Sequence, residues 1–223
     1  MNGRILSENV DHLRAYVRLI AIAKACGEAG IPAVSLPTLH AIAYFTDALA
    51  PVWSIPVVEA YVLKRSNLSL SPELQHDIDD LVGMTILVPQ RISHVQSENG
   101  WRLDAEYTLN TRFSDRVIEV MSEDDEWKRE LLLAREVTLA LTGLGAYGIT
   151  GAVLVDATYS DPLLDIGNLV DLAPEGARLT RTAQVAERFA TLMASERSLT
   201  DSELTHLYVR HLYTQLEAAN DAS

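Results

Sequence analysis

The 223-residue sequence predicts a mainly α-helical chain that carries one long β-hairpin, an α+β class. Three observations carry this reading. Apolar residues recur at helical spacing over most of the chain. Helix starts are marked by Ser-Pro and Thr-x-x-Glu signals. One stretch, from Thr85 to Leu109, changes to strand-like runs around an Asn-Gly pair.

The first helix is expected from Val10 to Ala29. Leu13, Val17, Leu19, Ile20, Ile22 and Ala23 lie close to one stripe, Ser7 or Asn9 stands at its start, and Gly27 and Gly30 mark its end. A second helix starts at Ser35 with Pro37 in its first turn and runs to Pro51. Residues 56–63 fit a short strand or a helix equally well. Ser71-Pro72-Glu73 opens a third helix, with Leu74, Ile78, Leu81 and Val82 on one face as far as Gly83. Thr85–Val88 and Ile92–Val95 then read as strand, Asn99-Gly100 as a tight turn, and Trp101–Leu109 as the returning strand. Three helices followed by a long hairpin is the order of a winged-helix domain, placed here at residues 8–110.

The remainder, residues 111–223, is expected to form a helical domain. A helix covers Asn110 to Met121. The acidic cluster Ser122–Glu126 precedes another from Trp127 to Leu141, where carboxylates suit a helix N-terminus. Ala152–Val155 reads as a strand. Asp156–Arg178 reads as irregular, with turn signals at Asp161-Pro162, Gly167-Asn168 and Pro174-Glu175-Gly176. Helices at Thr180–Ser195 and Asp201–Ala219 close the chain. Thr200-Asp201-Ser202-Glu203 has capping-box spacing. The broad apolar face of the last helix, from Leu204 to Leu216, is expected to be core.

Composition narrows the function classes. Apolar residues make up 48% of the chain, which argues against disorder. Eighteen basic residues against thirty-one acidic ones give a net charge of −13. That balance opposes a free-standing protein that coats nucleic acid, because phosphate binding needs clustered Lys and Arg. The single cysteine, Cys26, excludes an intramolecular disulfide and any multi-Cys zinc site. No apolar run approaches the roughly 20 residues that span a bilayer. The segment Met1–Ile5 lacks the features of a secretory signal. The expectation is a soluble cytoplasmic chain with no membrane contact.

Several motifs invite chemistry, and each has a structural reading beside it. Gly143-Leu144-Gly145-Ala146-Tyr147-Gly148 fits the letters of a dinucleotide-binding turn. Its context is reversed, with a helix before it and a strand-like run after it, so a helix end and a flexible crossing are expected. His206 and His211 are five apart, which turns a helix by about 140° and denies them a shared face. His211 is expected to pack and His206 to be solvated. His76 and Asp80 are four apart and stand among Asp77 and Asp79. They offer a general base or part of a metal site, or simply a solvated acidic helix face. Cys26 is expected to be a buried small hydrophobe. Neither a nucleophile elbow nor a phosphate-binding Gly-Lys loop is present. No enzyme activity, cofactor or metal site is therefore expected.

The third helix, in the position of a DNA-reading helix, carries Glu73, Asp77, Asp79 and Asp80 and no Lys or Arg. Carboxylates beside phosphates repel, so this helix suits a protein partner better than DNA. The expected partner-binding residues are Glu73, Gln75, His76, Asp77 and Asp80 on this helix and Asn99, Trp101 and Arg102 at the hairpin tip. Arg91 and Arg102 are the positions from which the hairpin could touch DNA.

Two stretches carry a family likeness. Ile42-Ala43-Tyr44-Phe45-Thr46-Asp47-Ala48-Leu49-Ala50-Pro51 is followed by Ser71-Pro72-Glu73-Leu74-Gln75-His76-Asp77-Ile78-Asp79-Asp80-Leu81-Val82-Gly83-Met84. Together they resemble the winged-helix middle component of ABC-three-component systems, a group that includes the small subunit of Lamassu-type bacterial defence systems. The chain is also similar to winged-helix accessory subunits of SMC (structural maintenance of chromosomes) complexes. It departs from the pattern at Ser66–Leu70, where related chains often carry Tyr-Gly-Pro, and at Thr85, where a Gly often stands. The resemblance covers residues 8–110 and implies a non-catalytic adaptor in antiviral defence. Such a subunit would bind an SMC-like coiled-coil ATPase, help control an effector nuclease, and meet DNA only through the complex. The alternative is a stand-alone winged-helix regulator, DNA-binding or antitoxin-like. A third possibility is a small hydrolase using His76 and Asp80.

Overall fold

The computed structural model describes residues 2–66, 71–97, 100–174, 179–195 and 197–221, with side chains from residue 12 onward except at 97–103 and 220. The turn expected at Pro174-Glu175-Gly176 lies mostly outside these residues.

The chain is mainly helical with two small antiparallel sheets. Helix α1 runs from Asn2 to Glu28, so it starts well before Val10, and Ser7 and Asn9 lie inside it rather than capping it. Its end is set by Gly30, at φ 84°. The Ile31 amide donates to the Cys26 carbonyl at 2.8 Å and the Gly30 amide to Gly27 at 3.1 Å. This closure needs a left-handed residue, which glycine adopts without a Cβ penalty. Strand β1, Ala33–Ser35, leads into α2, Leu36–Leu49, which a short 3-10 turn at Ala50–Trp53 extends. Every residue of α2 from Thr38 to Leu49 is buried, so it is the central helix of the molecule.

Strand β2, Tyr61–Leu63, resolves the ambiguity of residues 56–63 in favour of strand. Helix α3, Pro72–Gly83, is capped by Ser71, whose hydroxyl accepts from the Leu74 amide at 3.1 Å. Strands β3, Leu87–Ser97, and β4, Gly100–Leu109, form the expected hairpin, and β1 adds antiparallel to the outer edge of β4. The register shifts between Gln90 and Ser93, where Arg91 takes a positive φ of 45°. Ala105 and Tyr107 alternate inward from β4.

Helix α4 spans Thr111–Met121, and α5 spans Asp125–Thr142 with Asp124 at its cap. The Asp124 carboxylate accepts from the Glu126 and Trp127 amides at 2.9 and 3.2 Å, the role expected of the acidic cluster. Helix α6, Gly145–Val155, corrects two expectations. Gly143 ends α5 as expected, but Gly145–Gly148 is the first turn of a helix rather than a flexible crossing, and Ala152–Val155 is the last turn of that helix rather than a strand. A short apolar run of this kind reads the same in a buried helix as in a buried strand. Gly148 permits the start of α6, since a Cβ there would come within 2.8 Å of the Leu144 Cβ.

Strand β5, Leu169–Asp171, lies in the segment expected to be irregular and pairs with β2 across the chain. Helices α7, Arg181–Met193, and α8, Asp201–Asp221, close the fold. Thr200 and Glu203 form the expected reciprocal box: the Glu203 amide donates to Thr200 Oγ1 at 3.3 Å and the Thr200 amide to Glu203 Oε2 at 2.9 Å. Leu204, Tyr208, Val209 and Leu212 of α8 are core.

One buried cluster runs through both parts of the chain, from Ile20, Ile42 and Phe45 to Leu133, Val137, Ile149, Val153 and Tyr208. Two polar centres sit inside it. Arg18, 4% exposed, donates to Asp47 at 2.5 Å and to Glu130 at 2.6 Å, joining α1, α2 and α5. Burial opposes its charge, but the two carboxylates outweigh burial and hold the guanidinium above its ordinary pKa. Asp156 is the second centre. Tyr44 and Tyr208 each donate to it at 2.5 Å, and the Thr182 hydroxyl and the Thr158 and Tyr159 amides complete its shell. It thereby joins the end of α6 to α2, α7 and α8.

Among the described residues, no single helix is long and apolar enough to cross a membrane. Helices α5 and α6 pass such a test only as a pair bent by 108°, and their apolar positions Leu133, Val137, Leu141 and Ile149 are buried in the core.

Breaking the first polar centre tests its weight. Arg18→Met leaves buried Asp47 without its cation and Glu130 with only Arg14, at 3.3 Å, and is expected to cost about 3–5 kcal/mol, read as a lower urea midpoint at unchanged slope. The triple variant Arg18→Met, Asp47→Leu, Glu130→Met is expected to recover most of that loss. The remainder reflects the Val58 amide, which donates to Asp47 at 2.7 Å. A loss below about 1 kcal/mol for the single change would show that the triad does not hold these helices.

Candidate functional site

Helix α3 brings the expected partner-binding residues to one place but turns them in different directions. Glu73 and His76 are exposed. Gln75 donates to Asp79 at 3.0 Å, and its carbonyl oxygen lies 3.5 Å from the His40 ring. Asp77 is not on a solvated face. It is 2% exposed, turned against α1, and 3.1 Å from His12 Nδ1. Burial raises its pKa, and the contact with His12 offsets part of that rise. Asp80 accepts from Tyr16 at 2.7 Å, and this hydrogen bond, with burial, pushes the Tyr16 hydroxyl up to about 12. The Asp80 carboxylate is thus engaged by α1 rather than offered to His76. Among the described residues no three His, Cys, Asp or Glu side chains are arranged to hold a metal ion.

The hairpin contributes less that can be placed. Asn99 lies outside the described residues, as do the side chains of Trp101 and Arg102. Arg91 is largely exposed and pairs with Glu106 at 3.2 Å, so one of the two arginines considered for DNA contact already faces a carboxylate.

The remaining sequence candidates are structural. Cys26 is fully buried, and burial pushes its thiol up to about 12, which makes it an inert core group. His211 packs against the rings of Phe189 and Tyr208, at 5.7 and 6.3 Å between centroids. His206 is half-exposed and lies 3.2 Å from Glu136.

Where α1, the loop before β2 and the N-terminal half of α3 meet, they enclose an acidic cleft of about 300 Å³. His12 and Ala15 line it from α1, Val58 to Tyr61 from the loop and strand, and Glu73 and Asp77 from α3. Two of these, Glu59 and His12, were not singled out from sequence. Glu59 lies in the ambiguous segment, where no period fixes a facing direction. His12 was legible in part, since His12, Ala15 and Tyr16 share one face of a helix. Glu59 accepts from the Ser71 hydroxyl at 2.7 Å. Its pKa is raised to about 7, chiefly by burial; the Ser71 bond works against that rise, and Asp47, Asp77 and Glu73 add to it. Beneath it lies a small chamber lined by His40, Tyr44 and Asp47, where burial lowers the His40 pKa to about 4. Three carboxyl groups with one imidazole fit a cationic group, an ammonium or guanidinium, better than an anion.

The raised pKa of Glu59 has a defined consequence. The folded state holds this proton to higher pH than the unfolded chain does, so its contribution to stability is full below the unfolded value and fades as pH rises towards 7. Glu59→Gln keeps an acceptor for Ser71 and removes the titration. The wild type is expected to lose about 1–2 kcal/mol relative to Glu59→Gln between pH 4.5 and 7.5, after discounting for solvent screening. Urea melts across that range measure it, and parallel pH curves for the two proteins would contradict the assignment.

Comparison of the chain with family models, with curated proteins and with solved structures returned no match.

Proposed function

We propose that this chain is a non-catalytic adaptor subunit of a bacterial anti-phage defence complex. In this reading it docks an SMC-like, DNA-sensing coiled-coil ATPase and helps control an effector nuclease, and it meets DNA only through that assembly. We read residues 8–110 as a winged helix and residues 111–223 as the helical domain packed on it. The order α1, β1, α2, α3, β3, β4, with β1 joined to the hairpin, supports the first part. The segment 50–71 between α2 and α3 is longer than the short turn of a helix-turn-helix and carries β2 and Glu59.

The observation that carries the reading is the charge of α3. The third helix has only carboxylates among its ionised side chains and opens at its N-terminal end onto an acidic cleft. Such a helix repels a phosphate backbone and suits a basic protein surface, whose encounter it would also steer. The family likeness at Ile42–Pro51 and Ser71–Met84 supplies the nature of the partner. An ammonium or guanidinium entering the cleft would favour ionised Glu59, so docking is expected to tighten as pH rises through about 7.

The test is affinity purification of the tagged chain expressed with its genomic neighbours, followed by mass determination of the intact assembly. A defined complex with a coiled-coil ATPase is expected. Glu73→Lys with Asp79→Lys, at two exposed positions, is expected to lower the recovered ATPase at least tenfold, while Glu73→Gln with Asp79→Asn, which keeps the acceptor for Gln75, lowers it less. A clean monomer or homodimer beside soluble neighbours would overturn the reading, as would full recovery with the Lys double variant. Tight binding of duplex DNA by the isolated chain at near-physiological salt would favour the stand-alone regulator instead.

A further inference from the structure

Helix α4 is amphipathic, yet of its eleven residues only Ser114 is buried. Its apolar stripe, Phe113, Val117, Val120 and Met121, faces a groove of about 610 Å³ that Leu13 of α1 and Met84 and Ile86 after α3 complete. Phe113, Val120, Met84 and Leu13 remain 48%, 46%, 46% and 40% exposed. An amphipathic helix in a folded chain normally buries its stripe against its own core. Here Val117 packs against the core and Met121 is half-buried, but Phe113 and Val120 of the same stripe are left largely exposed, beside apolar side chains of two other elements. Contiguous exposed apolar surface of this kind marks an interaction site.

The charges at the groove narrow the occupant. The two ionised side chains that line it are Arg112 and Arg116, on a chain whose net charge is −13. The Arg112 guanidinium lies 5.9 Å from the Phe113 ring centre. Arg116 pairs with Glu119 at 2.6 Å, both largely exposed, an i, i+3 contact of little strength that a better-placed carboxylate can displace. An anionic membrane fits poorly, because the chain as a whole carries a net charge of −13 and the groove lies between three elements. A second copy would bring its own arginines against this pair.

We infer that this groove is a docking site for an amphipathic α-helix of a partner protein, with Leu- or Met-type anchors on one face and carboxylates on the flanks that pair with Arg112 and Arg116. An apolar groove lined by three elements accepts the apolar face of such a helix, and the two arginines set the sign of the flanks. The inference stands apart from the adaptor reading, because it concerns the isolated chain and a different face.

The probe is a synthetic 18-residue helical peptide with Leu at i, i+4, i+7 and i+11, Glu at the flanking positions and Ala elsewhere, followed by fluorescence anisotropy. Saturable binding is expected, at least tenfold tighter than for the same peptide with Lys in place of Glu. Val120→Asp, at an exposed position, is expected to abolish binding at an unchanged melting temperature. Arg112→Glu with Arg116→Glu is expected to reverse the preference between the two peptides. Absence of saturable binding by the Glu peptide, equal binding of both peptides, or survival of binding in Val120→Asp would each overturn the inference. So would a dimer in sedimentation that Val120→Asp dissolves, which assigns the groove to a second copy, or Val120-dependent binding to anionic vesicles.

Discussion

Arg18 is the constraint around which the fold is arranged. A guanidinium withdrawn from water is tolerable only where carboxylates meet it at hydrogen-bonding distance, and here Asp47 and Glu130 do so from two different helices. Because Arg18 is on α1, Asp47 on α2 and Glu130 on α5, the pairing fixes three helices relative to one another. Arg14, one turn earlier, reaches Glu130 at 3.3 Å and Glu126 at 2.5 Å, extending the same contact to the start of α5. The Val58 amide donates to Asp47 as well, so the loop carrying Glu59 is positioned by the same centre. The acidic cleft is thus a consequence of the triad: its floor and one wall are anchored to Asp47.

The second polar centre does comparable work one turn earlier along α2, at Tyr44. Asp156 gathers two tyrosines, a threonine and two backbone amides, so its charge is met by donors rather than by a cation. Tyr44 of α2 donates to its Oδ2 and Tyr208 of α8 to its Oδ1. Burial, followed by the nearby Asp156 charge, raises the pKa of both hydroxyls, which keeps them as donors. Arg18 meets α2 at Asp47 and Asp156 meets it at Tyr44, so the buried helix is held by polar contacts from α1 and from the end of α6.

The two surface features lie on either side of α1. His12 lines the acidic cleft and Leu13 lines the apolar groove, and consecutive helical residues point about 100° apart. Helix α3 likewise gives its N-terminal half, with Glu73 and Asp77, to the cleft, while Met84 and Ile86 beyond its end reach the groove. One surface is acidic and suits a cation; the other is apolar and rimmed by arginines. The two surfaces therefore differ in the chemistry they can accept.

Much of the local architecture was legible in the sequence. The Ser71 cap, the Thr200–Glu203 box, the Asp124 cap and the hairpin after Thr85 rest on interactions within a few residues, so the letters that make them lie together. The α+β class follows from the same signals. Other features were settled only by tertiary contacts. Residues 152–155 form the last turn of a helix whose Ala152 and Val153 are buried in the core, and an apolar run looks the same in either state. Strands β2 and β5 exist because they pair across more than a hundred residues, which no local period records. Asp77 reads as solvated by its neighbours in sequence, yet α1 covers it. Of the chain's arginines, Arg18 alone is clasped by two buried carboxylates among the described residues, and nothing around it in sequence distinguishes it from Arg14. Short-range hydrogen bonds and period are properties of the sequence; burial of a charge is a property of what folds over it.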